Sequence, residues 1–232
     1  MKKKVIITGG GNGIGYEIAK EFLNMGHYVL AISRDVSKLL KLKNHPFGIC
    51  IPLEMDLTKK YSYKKIEKIL WKWMFVDILI NNAGFLVKKN FDKLKDQDIY
   101  YSYEVNIFVP IKMIQLVKPY MGKNSHIVNI GSMGGIPNTK KFSGLSVYSS
   151  SKAALSNLTE VLAEEFKEEK NEPRVNCLAL GAVQSKMLKK AFPCLYNSSI
   201  SSKKMAKCIY SFSIEGNTFF NGKTIPISSS TN

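Results

Sequence analysis

Short apolar runs alternate along this chain with longer stretches in which hydrophobic residues return at helical spacing. Apolar runs that are bounded by turn-forming residues are typical of strands buried on both faces of a parallel sheet. The predicted strands are Val5–Thr8, Tyr28–Ser33, Phe47–Leu53, Val76–Asn81, His126–Ile130, Arg174–Leu180 and Lys223–Ile227.

The stretches between these runs predict helices. Ile14, Ile18 and Phe22 recur every fourth residue and therefore share one face of a helix. The predicted helices are Ile14–Met25, Tyr63–Trp73, Asp96–Tyr120 and Val147–Lys170. This alternation predicts the α/β class, as a single doubly wound, Rossmann-type parallel sheet of about seven strands with helices on both faces. Ligands of such a sheet bind at the carboxyl ends of the strands.

No internal repeat, low-complexity tract or Pro/Gly-rich linker divides the chain, so we predict one domain over residues 1–232. No apolar run reaches the length of about 18 residues that a membrane-spanning helix needs. The apolar stretch that begins at Val5 stops at Gly9, which is too short for the core of a signal peptide. We therefore expect a cytoplasmic protein with no membrane partner.

The net charge of +16 suggests binding to nucleic acid. The basic residues are nearly all lysines spread over the whole length, however, and Arg34 and Arg174 are the only arginines. Proteins that read DNA bases rely on arginine for bidentate contacts. We therefore interpret the charge as solvated lysine and expect no nucleic-acid partner, while a weak attraction to acidic partners or anionic substrates stays open.

The four cysteines, Cys50, Cys177, Cys194 and Cys208, form no Cys-x-x-Cys pair and have no histidine cluster nearby. We interpret them as buried free thiols of a reducing compartment. No set of metal ligands is visible in the sequence, so we predict no metal site.

A glycine-rich turn connects the first predicted strand to the first predicted helix. Its residues are Thr8, Gly9, Gly10, Gly11, Asn12, Gly13, Ile14 and Gly15. Glycines let a pyrophosphate approach the backbone, and the helix N-terminus supplies amide donors and a favourable dipole. The turn therefore predicts a dinucleotide site, although its Thr-Gly-x-x-x-Gly-x-Gly spacing differs from the general G-x-G-x-x-G fingerprint.

The end of the second strand bears on the choice between NADP and NAD. An acidic residue there bonds the ribose 2′-hydroxyl of NAD, whereas an arginine suits the 2′-phosphate of NADP. Ser33 and Arg34 occupy this region, and Asp35 follows them. A guanidinium can hold a phosphate through two parallel hydrogen bonds, so we favour NADP(H) over NAD(H). Two alternatives stay open, namely that Arg34 is solvated surface and that Asp35 reaches the ribose.

Tyr148 and Lys152 are four residues apart in a predicted helix and therefore lie on one face. A phenol with a pKa of about 10 is a poor proton donor or acceptor at neutral pH. A nearby lysine cation favours the phenolate, and we expect it to lower the pKa of Tyr148 toward the working range. The pair predicts a site for acid–base chemistry.

Three motifs, in this order, resemble those of the short-chain dehydrogenase/reductase family. They are the glycine turn, the Asn81-Asn82-Ala83-Gly84 segment after the fourth strand, and Tyr148-x-x-x-Lys152. The resemblance covers nearly the whole chain, from Val5 to Ile227. It implies hydride transfer between a nicotinamide nucleotide and a small-molecule carbonyl or alcohol substrate, and it implies a homo-oligomer, either a dimer or a tetramer.

The resemblance also implies roles for single residues. The implied catalytic residues are Asn106, Ser132, Tyr148 and Lys152. Ser132 would hold the substrate carbonyl and Tyr148 would pass the proton. Lys152 would lower the phenol pKa and bind the nicotinamide ribose, and Asn106 would hold a water in the proton relay. Together, the turn, the second strand and the resemblance give as cofactor-binding candidates Thr8, Gly9, Gly11, Asn12, Gly13, Ile14, Gly15, Ser33, Arg34, Asp56, Leu57, Asn82, Ala83, Gly84, Tyr148, Lys152, Gly181, Val183 and Ser185.

The chain departs from the family pattern at several points. Gly131 replaces the first of two serines that are often found there, Leu180 stands for a proline, and Ser185 stands for a threonine. The polar loop over residues 137–144 is longer than usual. The segment around residues 185–205, where the family builds its substrate lid, is short, and the last strand lacks the usual acidic-Gly-Gly ending.

Two alternatives stay open beside a general NADP(H)-dependent oxidoreductase. The scattered lysines could dock an acidic carrier, as in a 3-oxoacyl-[acyl-carrier-protein] reductase. The other alternative is a non-catalytic dinucleotide-binding sensor, although such proteins typically lose the tyrosine or the lysine, and both are present here. The sequence does not identify the substrate.

Overall fold

The computed structural model describes residues 1–59, 63–169 and 172–228. The strands in these ranges are β1 (Lys4–Thr8), β2 (Tyr28–Ser33), β3 (Ile49–Glu54), β4 (Ile78–Asn81), β5 (His126–Ser132), β6 (Arg174–Leu180), β7 (Val183–Gln184), β8 (Ile200–Ser201) and β9 (Thr224–Ile227). Seven of these described strands form one sheet in the order β3–β2–β1–β4–β5–β6–β9, and all of the pairs are parallel. β7 and β8 pair separately.

Helices cover both faces of the main sheet. They are α1 (Gly13–Asn24), α2 (Ser37–Leu40), α3 (Lys64–Trp73), α4 (Asp96–Tyr103), α5 (Val109–Val117), α6 (Ser146–Lys167), α7 (Lys186–Ala191), α8 (Pro193–Tyr196) and α9 (Ser202–Phe219). Alternate residues of β1 serve the two layers, because Val5 and Ile7 pack with α1 and α9 whereas Ile6 packs with α3, α5 and α6. The predicted doubly wound parallel sheet is confirmed.

The strand order reverses between β1 and β4, since the chain winds outward from β1 to β3 and then returns to the other side of β1. The loops that follow β1 and β4 therefore diverge and leave a crevice at their carboxyl ends. None of the helices in the described part of the chain combines the length and the hydropathy that crossing a bilayer requires.

The helix predicted over Asp96–Tyr120 is interrupted. A π-helical turn spans Glu104–Phe108 between α4 and α5. Pro110 accounts for the interruption because it has no N–H to donate to the carbonyl of Asn106, four residues earlier in the helix. The periodicity of the hydrophobic residues continues through the turn, so the pattern alone did not predict it.

Other predicted boundaries are close to those observed. β3 and β4 begin at Ile49 and Ile78, slightly later than predicted, and α6 ends at Lys167. Lys170, the predicted last residue of that helix, lies outside the described residues. α7, α8 and β8 occupy the region that the sequence predicted as a short lid.

The prediction that all four cysteines are buried is wrong for two of them. Cys50 and Cys177 are buried, but Cys194 and Cys208 are exposed. Cys194 lies in α8, which buries none of its residues. In α9 the buried positions recur at helical spacing, for example at Met205 and Ile209, and Cys208 lies off that face.

A buried histidine connects β5, β6 and α9. His126 is 1% exposed, its Nδ1 lies 3.2 Å from the carbonyl oxygen of Ser213, and its Nε2 lies 3.0 Å from the amide Nδ2 of Asn176. Because a carbonyl oxygen can only accept, Nδ1 carries the proton and Nε2 accepts from the amide. Burial lowers the pKa of His126 to about 4.

We predict that acid destabilises the fold through His126. Its folded-state pKa lies below the ordinary value of 6.5, so its contribution is complete above that pH and is lost as the pH falls toward 4. The expected loss between pH 7 and pH 4 is about 3 kcal/mol of unfolding free energy. Denaturant titrations of wild type and of His126→Gln over this range measure it, because other titrating groups act alike in both proteins. Identical pH dependence in the two would contradict the prediction.

Candidate active site

A cleft of about 1280 Å³ runs along the carboxyl ends of the strands. The turn after β1 and the end of β2 border one half, and the residues after β5, the start of α6 and the segment from α7 to β8 border the other. Among the described residues that line it, Asp56 is the only acidic one. The basic lining residues are Arg34, Lys38, Lys140, Lys152 and Lys186.

The glycine turn folds tightly against the start of α1. Gly9 and Gly13 have φ angles of +69° and +55°, which favour glycine. A Cβ on Gly15 would stand 2.2 Å from the carbonyl oxygen of Gly9, so only glycine lets the helix begin here. Asn12 and Ile14 line the cleft together with these glycines, which gives the N-terminus of α1 access to a bound anion.

Two residues that were predicted to bind cofactor do not line the cleft. Thr8 is buried, and its Oγ1 accepts hydrogen bonds of 3.0 Å from the backbone N–H groups of Asn82 and Ala83. Gly11 packs against the end of β2, where a Cβ would meet the Oγ of Ser33 at 2.3 Å. Both residues lie behind the surface of the cleft, where they contact other parts of the protein and are not available to a ligand.

The segment after β4 is attached to the glycine turn. Nδ2 of Asn82 donates to the carbonyl oxygens of Thr8 and Gly9 at 3.0 and 3.2 Å. Ala83 and Gly84 follow and line the cleft; the prediction that they lie along a cofactor stays a prediction.

Asp56 and Leu57 line the half of the cleft that lies near β2. Oδ1 of Asp56 accepts hydrogen bonds from the backbone N and the Oγ1 of Thr58, at 3.0 and 2.8 Å. Burial acts to raise the pKa of Asp56, but these hydrogen bonds and the nearby Arg34 guanidinium outweigh it, so that the pKa is lowered. Asp56 is therefore a carboxylate at neutral pH.

Three of the four predicted catalytic residues meet at the carboxyl edge of the sheet. Ser132 ends β5, and Tyr148 and Lys152 lie one turn apart near the start of α6. The Ser132 hydroxyl is near enough to the phenol of Tyr148 to act on its pKa. Nζ of Lys152, a residue that is only 4% exposed, donates a hydrogen bond of 2.7 Å to the carbonyl oxygen of Ile130.

Burial dominates the electrostatics of this group. It raises the pKa of Tyr148, and the nearby Ser132 hydroxyl only partly opposes that rise. Burial also lowers the pKa of Lys152 to about 8. The expectation that Lys152 lowers the pKa of Tyr148 below its ordinary value is therefore wrong for this structure, because desolvation of the phenolate outweighs the opposing effect of Ser132.

Asn106, the fourth predicted catalytic residue, lies behind the cleft and is fully buried. Its Nδ2 donates 2.9 Å hydrogen bonds to the carbonyl oxygen of Phe85 and to the Oγ of Ser151, and its Oδ1 accepts from the N–H of Phe85 at 2.8 Å. A Cβ built on Gly84 would lie 3.6 Å from this Oδ1 and 3.8 Å from Nζ of Lys152. Asn106 therefore holds the backbone that passes beside the lysine.

The loop after β6 reaches over the glycine turn. Gly181, Val183 and Ser185 line the cleft, and the Oγ of Ser185 caps α7 by accepting from the N–H of Leu188 at 3.1 Å. The Cβ of Ser185 would lie 3.8 Å from a Cβ on Gly13. The three residues predicted from this loop thus face the same cleft as the glycine turn.

Sequence reasoning missed several residues that line the cleft. Lys38 and Tyr101 border the half near β2, and Lys186 follows Ser185 at the start of α7. Lys186 was detectable as a neighbour of a predicted residue. Tyr101 was not, because it belongs to no motif and reaches the cleft only through the packing of α4.

The long loop over residues 137–144 crosses to the lid at the mouth of the cleft. The rings of Phe142 and Phe192 lie 5.3 Å apart, and Nζ of Lys88 lies 4.0 Å from the centroid of Phe192. Within the described ranges, no three His, Cys, Asp or Glu side chains are grouped as ligands for a metal ion.

Comparison with known proteins adds to this geometry. The family model for short chain dehydrogenase matches residues 3–194. The 7alpha-hydroxysteroid dehydrogenase of Escherichia coli K12 is 34% identical over 200 residues, which cover 81% of this chain and 73% of that protein. The 3-oxoacyl-[acyl-carrier-protein] reductase FabG of Thermotoga maritima is 31% identical over 194 residues, which cover 81% of this chain and 77% of that protein. The solved structure of ElxO with NADP bound has a TM-score of 0.84 and 27% identity, and the match covers 98% of this chain and 97% of that one.

Gly131 packs against the side chain of Cys177 on the neighbouring strand β6. A Cβ on Gly131 would stand 2.6 Å from Sγ of Cys177, and this thiol is fully buried next to the Oγ of Ser156 at 3.8 Å. The cysteine occupies the space that a serine at position 131 would need. The departure from the family pattern therefore has a packing reason.

We predict that Gly131→Ala overpacks this site and lowers the unfolding free energy by about 1–3 kcal/mol. In a Cys177→Ala background the same substitution should cost much less, because the clashing sulfur is gone. Denaturant titrations of the four proteins of this double-mutant cycle measure the coupling. Equal costs in both backgrounds would show that Cys177 is not what excludes a side chain at position 131.

Proposed function

Because this chain belongs to the short-chain dehydrogenase family, we propose that it transfers a hydride reversibly between NADP(H) and a small-molecule carbonyl or alcohol substrate. One observation carries the proposal. Ser132, Tyr148 and Lys152 meet in the same cleft as the glycine turn, at the carboxyl edge of the sheet. Chemistry and nucleotide binding would thus share one continuous space.

The proposed reduction divides its work among three side chains. A bound nicotinamide supplies the hydride. Ser132 holds the carbonyl oxygen of the substrate, and Tyr148 donates a proton to that oxygen as negative charge develops. Its pKa is raised, so Tyr148 is protonated at neutral pH and holds the proton that this step needs. Lys152 and Ser132 then stabilise the phenolate that is left behind.

Asn106 is proposed as a positioning residue. Its amide holds the backbone of Phe85 at both its N–H and its carbonyl, and Phe85 follows the segment that lines the middle of the cleft. Pro110 cannot donate to the carbonyl of Asn106, and that carbonyl is the group we propose to hold a water of the proton relay near Lys152.

The fit of the cleft to a dinucleotide supports NADP(H). The N-terminus of α1 faces the cleft through a turn that only glycines can form, which suits a pyrophosphate. Near the end of β2, Arg34 and Lys38 line the cleft, and both suit a 2′-phosphate. Oδ1 of Asp35, the alternative partner for the ribose of NAD, accepts a hydrogen bond of 2.9 Å from the N–H of Ser37. NAD(H) is the less favoured alternative.

The remaining expectations stay proposals. Residues 185–205 serve as the substrate lid of a single domain, and the apolar side chains of Met187, Leu188, Phe192 and Leu195 line the cleft beneath it. Exposed Phe108 and Phe219 are apolar surface that a homo-oligomer would cover. A cytoplasmic location and the roles of the cofactor-binding residues likewise remain predictions.

A 3-oxoacyl-[acyl-carrier-protein] reductase is the second candidate. No acidic residue occurs between Glu104 and Glu160, and none occurs between Glu172 and Glu215. These two stretches supply the walls of the cleft around Ser132, Tyr148 and the lid, so an acidic carrier protein would meet little repulsion there. The relative from Thermotoga maritima carries this name.

We predict that Tyr148→Phe lowers kcat for carbonyl reduction by a factor of about 10²–10⁴, because the proton donor is lost. The dissociation constant for NADPH should stay within about twofold, since the ring and its packing remain. Steady-state kinetics and fluorescence titration of NADPH measure the two quantities. Retained turnover would exclude the phenol as the donor, and wild type that binds NADPH but reduces no carbonyl would favour a sensor.

We also predict that the salt dependence of kcat/KM distinguishes an acyl-carrier substrate from a small ketone. If an acyl carrier docks here, kcat/KM for a 3-oxoacyl carrier should fall as ionic strength rises, because the walls carry positive charge. A small ketone offers no such charge, and its kcat/KM should change little. Assays of both substrates with NADPH over a salt series decide this, and turnover of the small ketone alone would remove the carrier hypothesis.

A further inference from the structure

Arg34 lines the cleft, and its guanidinium contacts Tyr101, which lines the same cleft from another element. Its Nη1 donates a hydrogen bond of 2.8 Å to the phenol oxygen of Tyr101. Arg34 follows β2 and Tyr101 lies in α4, yet both line the same cleft. An exposed arginine samples many rotamers, and ordering it on a ligand costs free energy. The contact with Tyr101 removes part of that cost in advance.

The phenol that holds Arg34 is itself fixed. The ring of Tyr101 packs edge-on against Phe85, with centroids 4.7 Å apart and planes at 80°. The backbone of Phe85 is held on both sides by the buried amide of Asn106. A chain of contacts thus connects a rigid part of the fold to the guanidinium.

The contact leaves donors for an anion. A guanidinium has five N–H groups, and Tyr101 takes one of them. The remaining N–H groups of Arg34 can therefore donate to a phosphate group, and Lys38 lines the same half of the cleft.

We propose that Tyr101 is a positioning residue that holds the Arg34 guanidinium for the 2′-phosphate and so sets the preference for NADP(H) over NAD(H). The inference rests on the proposed function, because it concerns the cofactor of that same site. Tyr101 acts through Arg34 and not on the substrate. Its effect is therefore confined to nucleotides that carry the 2′-phosphate.

The test measures dissociation constants for NADPH and NADH by fluorescence titration of wild type, Tyr101→Phe, Arg34→Ala and the double variant. Tyr101→Phe keeps the ring against Phe85 and should raise the NADPH constant roughly tenfold while changing the NADH constant less than about twofold. Arg34→Ala should raise the NADPH constant at least as much. In the Arg34→Ala background the tyrosine substitution should add almost nothing, because its target is gone.

Tyr103→Phe is the matched control. Tyr103 lies in the same helix, its hydroxyl donates to the Oγ of Ser150 at 3.1 Å, and it does not line the cleft. This variant should bind both nucleotides like wild type.

The other possible results refute either the cofactor preference in the proposed function or the role of Tyr101. Wild type that binds NADH as tightly as NADPH refutes the cofactor preference in the proposed function. A normal preference in wild type that Tyr101→Phe leaves unchanged refutes the inference alone. Equal weakening of NADPH and NADH by Tyr101→Phe also refutes it, because Tyr101 would then support the part that the two nucleotides share.

Discussion

The hydrogen bonds between the end of β1 and the end of β4 hold together the crevice on which the site depends. β1 and β4 pair in the sheet, but the strand order reverses at this point, so the loops that follow the two strands separate beyond the paired residues. Thr8 accepts from the backbone of Asn82 and Ala83, and the Asn82 amide returns two bonds to the glycine turn. These contacts fix the floor of the cleft before any ligand arrives.

Burial is the second constraint, and it shifts the pKa values of Tyr148 and Lys152 in the cleft. Lys152 is buried and Tyr148 is partly buried, so desolvation favours the neutral form of each: it raises the pKa of the phenol and lowers the pKa of the lysine to about 8. The carbonyl of Ile130 compensates the lysine for its lost hydration. A polar group that is paired in this way keeps its position, which is what a proton donor and its support need.

The two ends of the cleft share one rigid support. The amide of Asn106 fixes Phe85, whose ring packs against Tyr101, and Tyr101 holds Arg34 near the end of β2. The same amide bonds Ser151, which precedes Lys152 in α6. A single buried side chain therefore contacts both the helix that carries Tyr148 and Lys152 and the residue against which Tyr101 packs. Its place in a π-helical turn follows from one proline in the next helix.

The sequence by itself determined the seven strands of the main sheet, the first helix, the parallel sheet and the glycine turn, because each follows from residues that are close together in the chain. It also determined that Ser132, Tyr148 and Lys152 belong to one site, through motifs that resemble those of a family. Only the tertiary structure decided that Thr8 and Gly11 lie behind the cleft, that Cys194 and Cys208 are exposed, and that Tyr101 meets Arg34. The pKa values of Tyr148 and Lys152 belong to this second group, since desolvation depends on everything packed around a side chain. Contacts between residues far apart in the chain produce no periodic pattern in the sequence, so they could not be predicted from it.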